Sequence, residues 1–284
     1  MVSRRDLLAA GALLLPGLAD AGEAPFAALE KQSGARIGVA ALDTGSGRRI
    51  SNRGHERFVM CSTFKLSLAA AILARSDAGH EDLNRVVHYE NVPLLEVSPD
   101  TSRNIATGMT IAALCRAAVI YSDNTAANLL LAALGGPGAV TSFWRGLGDA
   151  VSRLDDIEPK LNVPDGGRNT ATPDAMLGNL HKMLLGGALS PASRTRLLGW
   201  MHDNTTGGAM LRAGLPAGWQ VGDKTGRWNG KDPKAYATND LAIVTPPGRK
   251  PILIVCYTQG GPADADARPA VVASAGRIIA DAFA

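Results

Sequence analysis

The chain has 284 residues, of which 46% are hydrophobic and 19% charged, so it can bury a large core and is not intrinsically disordered. Its formal net charge of +3 is small and evenly spread, which argues against a nucleic-acid or membrane-surface partner. Its five histidines and three cysteines lack the spacing of metal ligands or of a disulfide framework, which argues against a structural zinc site and a disulfide scaffold.

The first 21 residues have the pattern of an export signal. Arg4 and Arg5 precede a short apolar run, 7–15, and small residues at 19–21 suit a cleavage site. Paired arginines are typical of the twin-arginine route, which carries folded proteins, and a general secretory signal is the alternative. The apolar run is too short to span a bilayer. We therefore expect an exported, periplasmic protein that begins near Gly22 and keeps no membrane anchor.

The hydrophobic pattern predicts strands near both ends of the chain and helices between them. A helix over Glu23–Ser33 precedes a hairpin, with strands at Arg36–Asp43 and Arg48–Asn52. Apolar residues at spacings of three and four then predict six helices: Ser62–Ala78, Thr110–Tyr121, Thr125–Gly135, Val140–Leu147, Thr172–Leu185 and Pro191–Asp203. The last predicted elements are the strands Trp219–Thr225, Asp240–Thr245 and Pro251–Thr258 and the helix Arg268–Phe283.

This order of elements favours an α+β fold. The two ends would form one antiparallel sheet flanked by the terminal helices, in an α/β domain of residues 22–57 and 206–284. An all-α domain, 58–205, would be inserted between them. It contains a long irregular stretch, 151–171, and loops of that length are typically functional. A site is expected at the seam between the two domains.

Ser62 and Lys65 stand at the start of a strongly predicted helix. Residues three apart lie on one helical face, so the serine hydroxyl and the lysine amine can meet. Free N–H groups at a helix start favour a developing oxyanion, and a desolvated lysine can act as a base for a serine. On its own the pair is equally typical of a helix cap beside a solvated lysine.

Three further groups of polar residues carry potential chemistry. Ser122-Asp123-Asn124 interrupts apolar helices, although a helix boundary with a capping residue is the plain alternative. Lys224-Thr225-Gly226 ends a strand and suits an edge that binds an anion and allows close approach of a ligand backbone, although a strand ending in a turn also fits. In the long loop, Glu158 and Asn162 are four residues apart and can hold one water between them, with the glutamate as its base.

Taken together, the motifs resemble those of a known family. Ser-x-x-Lys, Ser-Asp-Asn and Lys-Thr-Gly in this order form the signature of the penicillin-recognising serine enzymes, and of class A serine β-lactamases in particular. Ser122 follows Ser62 by 60 residues and Glu158 follows Ser122 by 36, as expected in that family. The similarity extends from about residue 23 to the C-terminus.

The resemblance implies a role for each matched residue. Ser62 would be the nucleophile that opens the β-lactam ring, either Lys65 or Glu158 would take its proton, and Glu158 would be the base for the deacylating water. The resemblance implies that Ser122 passes a proton to the lactam nitrogen, and that the backbone N–H groups of Ser62 and Arg227 form the oxyanion hole. The residues expected to hold the substrate or its water are Asn124, Asn162, Lys224, Thr225, Gly226 and Arg227. Neither a metal nor a cofactor is implied, and a monomer is expected.

The chain also departs from the family pattern at several positions. In the family, an arginine–aspartate ion pair ties the loop that carries the catalytic glutamate, which here is the glutamate loop, 151–171. The two positions of that pair are Asp156 and Asn169 in this chain. We therefore expect a neutral hydrogen bond in place of the ion pair, and a looser loop that admits bulky oxyimino cephalosporins. In carbapenem-hydrolysing relatives, a cysteine at the position of Cys61 often forms a disulfide with a second cysteine, two residues after the Lys-Thr-Gly glycine. In this chain that second position is Trp228, so the disulfide cannot form and carbapenem hydrolysis is not implied. The usual arginine of the carboxylate pocket has no clear equivalent, and Arg227 is the nearest substitute.

Two other functions share some of these motifs. A D-alanyl-D-alanine carboxypeptidase has three of the four groups but lacks the Glu158–Asn162 pair. A β-lactam sensor is acylated without turnover, and such sensors are membrane-tethered. A hydrolase of penicillins and cephalosporins with turnover, which confers antibiotic resistance, is the function we expect.

Overall fold

The computed structural model describes residues 23–284, and the predicted export signal lies outside them. Its nine α-helices are α1 Glu23–Ser33, α2 Phe64–Asp77, α3 Ile111–Ile120, α4 Asn124–Leu134, α5 Pro137–Gly146, α6 Pro173–Leu184, α7 Pro191–His202, α8 Leu211–Gly214 and α9 Arg268–Phe283. Its strands are β1 Ala35–Asp43, β2 Arg49–Asn52, β3 Phe58–Val59, β4 Val86–Val87, β5 Met109–Thr110, β6 Thr170–Ala171, β7 Gln220–Trp228, β8 Ala237–Thr245 and β9 Ile252–Gly260.

A five-stranded antiparallel sheet joins the two ends of the chain, in the order β2-β1-β9-β8-β7. The central strands are buried along almost their whole length, because helices cover both faces of the sheet. The packing of α1, α8 and α9 buries one face, around Phe26, Val39 and Ile279. The other face, with Ala40 and Val255, packs against the helical layer. This arrangement confirms the predicted α+β class, and the domain boundaries stay a prediction.

The last strand of the sheet, β7, is the edge that faces the helical layer. It pairs with β8 from Gln220 opposite Thr245 to Trp228 opposite Ala237. The strand therefore runs three residues beyond the predicted end, because Gly226, Arg227 and Trp228 continue the ladder. A connection of residues 229–236, which includes a 3₁₀ turn at Pro233–Ala235, leads to β8.

The predicted helices are confirmed to within a few residues of their ends, with one difference that concerns the site. The expected helix start at Ser62 is wrong by two residues, since Cys61–Thr63 form a 3₁₀ turn and α2 begins at Phe64. The hydrogen bonds give the physical reason, because the backbone N–H groups of Thr63 and Phe64 donate to the carbonyls of Met60 and Cys61, three residues back, which is the 3₁₀ pattern. Short elements such as α8 and the two-residue strand pairs were not expected.

Between residues 23 and 284, no single helix combines the length and the apolar character that crossing a membrane requires. Helices α4 and α5 satisfy the criterion only when taken together, and they are bent by 70° at the break between them.

Candidate active site

A cleft of about 500 Å³ lies between the edge strand β7 and the helical layer. Eight of the ten residues predicted for the site line it: Ser62, Ser122, Asn124, Glu158, Asn162, Thr225, Gly226 and Arg227. The other two, Lys65 and Lys224, are fully buried beneath its floor, and their amines contact residues that line it. The structure therefore brings all ten predicted residues together.

The half-buried Ser62 is held against β7 by the absence of a side chain at Gly226. A Cβ on Gly226 would lie 2.8 Å from the carbonyl oxygen of Met60 and 2.9 Å from the amide nitrogen of Ser62. The sequence suggested that a glycine here allows the backbone of a ligand to approach. In the structure, the backbone that approaches Gly226 closely is that of Met60 and Ser62 in the protein itself. Asn239 on β8 fixes the same turn, because its amide donates to the carbonyls of Val59 and Met60 at 2.8 and 3.1 Å.

The amine of Lys65 lies among acceptors only. It is 2.8 Å from the carbonyl oxygen of Ser122, 2.5 Å from Oδ1 of Asn124 and 3.2 Å from Oε1 of Glu158. Burial lowers the pKa of Lys65, whereas the neighbouring Glu158 carboxylate raises it. Since three acceptors occupy the three N–H positions of an ammonium group, the geometry fits the charged form of Lys65.

Glu158 connects the serine to the loop. Its Oε1 accepts a hydrogen bond from the Ser62 hydroxyl at 3.2 Å, and its Oε2 accepts one from the Asn162 amide at 2.6 Å. The backbone of Glu158 is held on both sides by Asn128 of α4, which accepts from its N–H and donates to its carbonyl, each at 2.9 Å. Oδ1 of Asn162 is buried and has no hydrogen-bond partner among residues 23–284. This arrangement leaves one polar acceptor beside the carboxylate for a further donor.

Ser122 and Lys224 meet at the opposite side of the cleft. The Lys224 amine lies 3.1 Å from the Ser122 hydroxyl and 2.8 Å from the carbonyl of Thr225. Burial and the charge of Lys65 lower the pKa of Lys224 to about 7. Ser122 has a φ of +59°. The next residue, Asp123, supports this conformation because it caps α4: its carboxylate accepts a hydrogen bond from the backbone N–H of Ala126 at 2.8 Å. Backbone strain at this position turns the serine side chain into the cleft.

Arg227 is an exposed cation on the wall of the cleft. Among residues 23–284, no carboxylate lies within 4.0 Å of its guanidinium, whereas Arg36, Arg168 and Arg212 each form an ion pair. Trp228 and Val97 provide apolar surface on the two sides of the cleft, and Val97 is 56% exposed. A substrate with an anionic group and an apolar substituent fits this lining.

The predicted hydrogen bond between Asn169 and Asp156 is confirmed, but the expectation that it replaces the ion pair of the glutamate loop is wrong. Asn169 does donate to Asp156, at 3.0 Å, but Arg168 and Lys160 also form ion pairs with Asp156, at 2.9 and 2.8 Å. Arg168, one residue before the aligned position, supplies the positive charge that was thought to be missing. Lys160 and Asn169, followed by Arg168, hold the pKa of Asp156 well below its usual range. The expectation of a looser loop has therefore lost its basis.

Asn169 adds a second anchor to this loop. With a φ of +55°, it turns its side chain so that Oδ1 accepts from the backbone N–H groups of Asp155 and Asp156, at 2.8 and 3.0 Å.

Cys61 is a free, buried thiol, as are the other two cysteines. Trp228, which stands at the position of the second cysteine, lines the cleft.

Sequence reasoning missed three residues that support the site: Asn128, Thr206 and Asn239. The hydroxyl of Thr206 contacts that of Thr225 in the cleft. One of the three carried a usable signal, because Asn128 is an amide within an otherwise apolar segment, and such a residue needs hydrogen-bond partners when buried.

Comparison with known proteins agrees with the geometry. A sequence model of the β-lactamase enzyme family matches residues 23–283. The β-lactamase L2 of Stenotrophomonas maltophilia is 48% identical over 256 residues, which cover 89% of this chain and 83% of that protein. The carbapenem-hydrolysing β-lactamase KPC of Klebsiella oxytoca is 46% identical over 257 residues, which cover 89% of this chain and 86% of that protein.

Solved structures show the same relationship. An ancestral class A β-lactamase, GNCA, is 55% identical and superposes with a TM-score of 0.86, over 91% of this chain and 98% of that one. The match extends over nearly all of the described residues and includes the cleft between sheet and helices. The chain therefore belongs to the β-lactamase enzyme family and, within it, to class A.

Proposed function

We propose that this protein hydrolyses the β-lactam ring of penicillins and cephalosporins through an acyl-enzyme on Ser62, and thereby confers antibiotic resistance. The observation that carries the proposal is the position of Glu158, whose carboxylate contacts both the Ser62 hydroxyl and the Asn162 amide. The same base can therefore reach the Ser62 hydroxyl, which must lose a proton in acylation, and a water beside Asn162, which must lose one in deacylation.

In the acylation step, Glu158 takes the proton of Ser62 while Oγ attacks the lactam carbonyl carbon. Glu158 is favoured over Lys65 for this role because Lys65 is surrounded by acceptors, which fits a charged amine with no free lone pair. The backbone N–H groups of Ser62 and Arg227 would stabilise the oxyanion. The close packing of Gly226 on the Ser62 turn supports this pairing of β7 with the nucleophile.

Breakage of the C–N bond requires a proton on the departing nitrogen. Ser122 would donate its hydroxyl proton to that nitrogen, and the contact with the Lys224 amine supports this transfer. The proton that Glu158 took from Ser62 would then pass by way of the Lys65 amine, 3.2 Å from Glu158, to Ser122, which restores the Ser122 hydroxyl and leaves Glu158 ionised for deacylation. Lys224 and Thr225 would also bind the substrate carboxylate, with Arg227 as the additional cation, and Asn124 would hydrogen-bond the acylamide side chain.

Deacylation returns the enzyme to its starting state. Glu158 takes a proton from a water held by Asn162, the resulting hydroxide attacks the ester carbonyl, and the Ser62 oxygen leaves with that proton. The Glu158–Asn162 contact at 2.6 Å supports turnover, as opposed to the permanent acylation of a sensor. Carbapenem hydrolysis is not part of the proposal, because Cys61 has no cysteine opposite it.

The test is hydrolysis of nitrocefin, benzylpenicillin and a D-alanyl-D-alanine peptide by the mature chain from Gly22. We expect sustained turnover of both β-lactams, no release of D-alanine, and complete loss of turnover in Ser62→Ala. Release of D-alanine, or a single stoichiometric burst with the wild-type enzyme, would contradict the proposal.

The pKa of Lys224 predicts an alkaline limb in the pH profile. As the pH rises through about 7, the buried amine loses its charge and with it the attraction for the substrate carboxylate. We therefore expect kcat/KM to fall with rising pH while kcat stays nearly level, because a bound carboxylate keeps the amine charged. Lys224→Arg keeps its charge throughout this range and should have no such limb. An unchanged limb in Lys224→Arg would assign it to another group.

Arg227 is predicted to contribute to substrate affinity. Since its guanidinium is exposed and screened by solvent, Arg227→Ala should raise KM by about tenfold, the lower end of the range for a charge-assisted hydrogen bond, with little change in kcat. Lys231→Ala is the matched control, because Lys231 is an exposed cation on the connection that follows β7 and does not line the cleft. The same rise in KM in both variants would indicate a general charge effect and contradict a specific contact.

We also propose that the protein is exported by the twin-arginine route and acts as a periplasmic monomer. The support for the route is the pair Arg4-Arg5 before the short apolar run. Replacement of both arginines by lysine should block export of the full chain, whereas a general secretory signal would tolerate the change.

A further inference from the structure

Two fully buried aspartates, Asp223 and Asp240, have no part in the chemistry proposed above. Asp240 of β8 is opposite Thr225, and Asp223 of β7 is opposite Ala242, so the two aspartates are diagonal neighbours on one face of the sheet. Side chains alternate along a strand, so Lys224, the next residue after Asp223, lies on the opposite face. The pair therefore shares its face of the sheet with the side chain of Thr225, whereas Lys224 projects from the other face of β7.

Each of the two carboxyl groups uses only one of its oxygens. Oδ1 of Asp223 accepts from the Asn204 amide at 3.0 Å and from Arg212 at 2.6 and 2.9 Å, and Oδ2 of Asp240 accepts from the backbone N–H of Leu211 at 3.1 Å. Oδ2 of Asp223 and Oδ1 of Asp240 are buried and have no hydrogen-bond partner among residues 23–284. A buried carboxylate oxygen without a donor is costly, so two on adjacent strands need a common explanation.

Charge around the pair points to that explanation. The titratable groups near Asp240 are Asp223 of β7, Arg212 of α8 and Cys256 of β9 and, on the other face of β7, Lys224. Arg212 forms its ion pair with Asp223 alone. Burial, followed by the negative charge of Asp223, raises the pKa of Asp240 well above its ordinary value. A protonated Asp240 has an O–H that can donate to Asp223, which gives both unpaired oxygens a partner.

A chain of hydrogen bonds connects this pair to the cleft. Asn204, which donates to Asp223, accepts from the N–H and hydroxyl of Thr206 at 3.0 and 2.8 Å. The Thr206 hydroxyl in turn contacts that of Thr225. The backbone also passes close behind Asp223, because a Cβ on Gly207 would lie 1.5 Å from its Oδ2. The position of Asp223 thus determines that of Thr206 and, through it, of the Thr225 hydroxyl.

We propose that Asp240 keeps its proton and donates it to Asp223, and that this pair positions Lys224 and Thr225 for the substrate carboxylate. Neither aspartate touches substrate, so both are positioning residues. The consequence for substrate binding rests on the function proposed above, whereas the shared proton does not depend on it.

Asp240→Asn tests the charge state of the pair. An asparagine amide replaces the O–H as donor to Asp223, its oxygen can still accept from Leu211, and no charge is lost if Asp240 is neutral. We expect unchanged thermal stability, unchanged KM and an unchanged alkaline limb of kcat/KM. If Asp240 is instead ionised, the substitution removes a negative charge near Lys224, which lowers the pKa of the amine and moves the limb to lower pH. Such a shift would overturn the proposal.

Asp240→Ala is the matched variant for positioning. It removes the donor to Asp223 and the acceptor for Leu211, so we expect a lower melting temperature and a rise in KM of about tenfold, larger than the change in kcat. Rescue by asparagine but not by alanine distinguishes a hydrogen-bond donor from a mere space-filling side chain. Equal effects of the two substitutions would contradict the proposal.

Infrared spectroscopy of the enzyme without substrate tests the shared proton independently of activity. We expect the C=O band of a protonated carboxyl group near neutral pH in the wild-type enzyme, and its loss in Asp240→Asn. Absence of the band, or its persistence in Asp240→Asn, would refute the shared proton even if the enzyme hydrolyses β-lactams. Its presence in an enzyme without β-lactam turnover would leave the shared proton standing and refute the proposed function alone.

Discussion

A Glu158→Gln variant is expected to open the β-lactam ring once and then stall as an acyl-enzyme. The amide keeps the shape of the side chain but cannot take a proton from the water beside Asn162, so deacylation should slow by about 10²- to 10⁴-fold, the range for loss of a general base. Acylation should suffer less, because burial lowers the pKa of Lys65 and, without the Glu158 carboxylate beside it, its amine becomes available as a base. The measurement is stopped-flow absorbance with nitrocefin.

The expected trace is a burst of one equivalent of product followed by a slow steady state. Asn162→Ala is the matched control, because it removes the partner of Glu158 Oε2 but keeps the base, and it should show a smaller loss of turnover. A Glu158→Gln variant that turns over at the wild-type rate, or that slows without any burst, would contradict the role of Glu158 in deacylation.

Lys65→Met is expected to reduce kcat/KM by about 10²- to 10⁴-fold, with the loss in acylation. The substitution removes the amine that donates to three acceptors, the Ser122 carbonyl, Asn124 and Glu158, and it takes away the cation paired with Glu158. Since the side chains of Lys65 and Glu158 are 0% and 1% exposed, the broken pair should also cost about 3–5 kcal/mol in the free energy of unfolding.

Pre-steady-state kinetics and urea unfolding check this prediction. Lys65→Arg keeps the charge in a larger group and should retain more stability than Lys65→Met, although its misplaced donors should still slow acylation. A Lys65→Met variant with normal acylation would contradict the account, as would a variant with the stability of the wild-type enzyme.

Local sequence patterns predicted the helices and strands because apolar spacing reports which face is buried. Ser62 and Lys65 were also found from local sequence, because side chains three residues apart lie next to each other on one face of a helix. Glu158 and Lys224, by contrast, were assigned through the family motifs, because nothing in their local sequence places them beside Ser62. The ladder of β7 and β8 and the glutamate loop create these contacts across long sequence separations.

The residues that sequence reasoning missed act through such distant contacts. Asn239 holds carbonyl groups that are 179 and 180 residues away in the chain, and Asn128 holds the backbone of Glu158 at a separation of 30. Arg168 shows a different failure, since an alignment by position assigned the ion pair of Asp156 to Asn169, whereas the longer side chain next to it reaches the same carboxylate. Side-chain reach in three dimensions, not position in the sequence, determines the charge balance of that loop.

The most direct test of the central claim is mass spectrometry of Glu158→Gln after mixing with benzylpenicillin. The account predicts an adduct with the full mass of the antibiotic, one per chain, which proteolytic mapping places on Ser62 and which is absent from the double variant Ser62→Ala/Glu158→Gln. An adduct on another residue, or none at all while turnover continues, would show that the ring is not opened through a Ser62 acyl-enzyme.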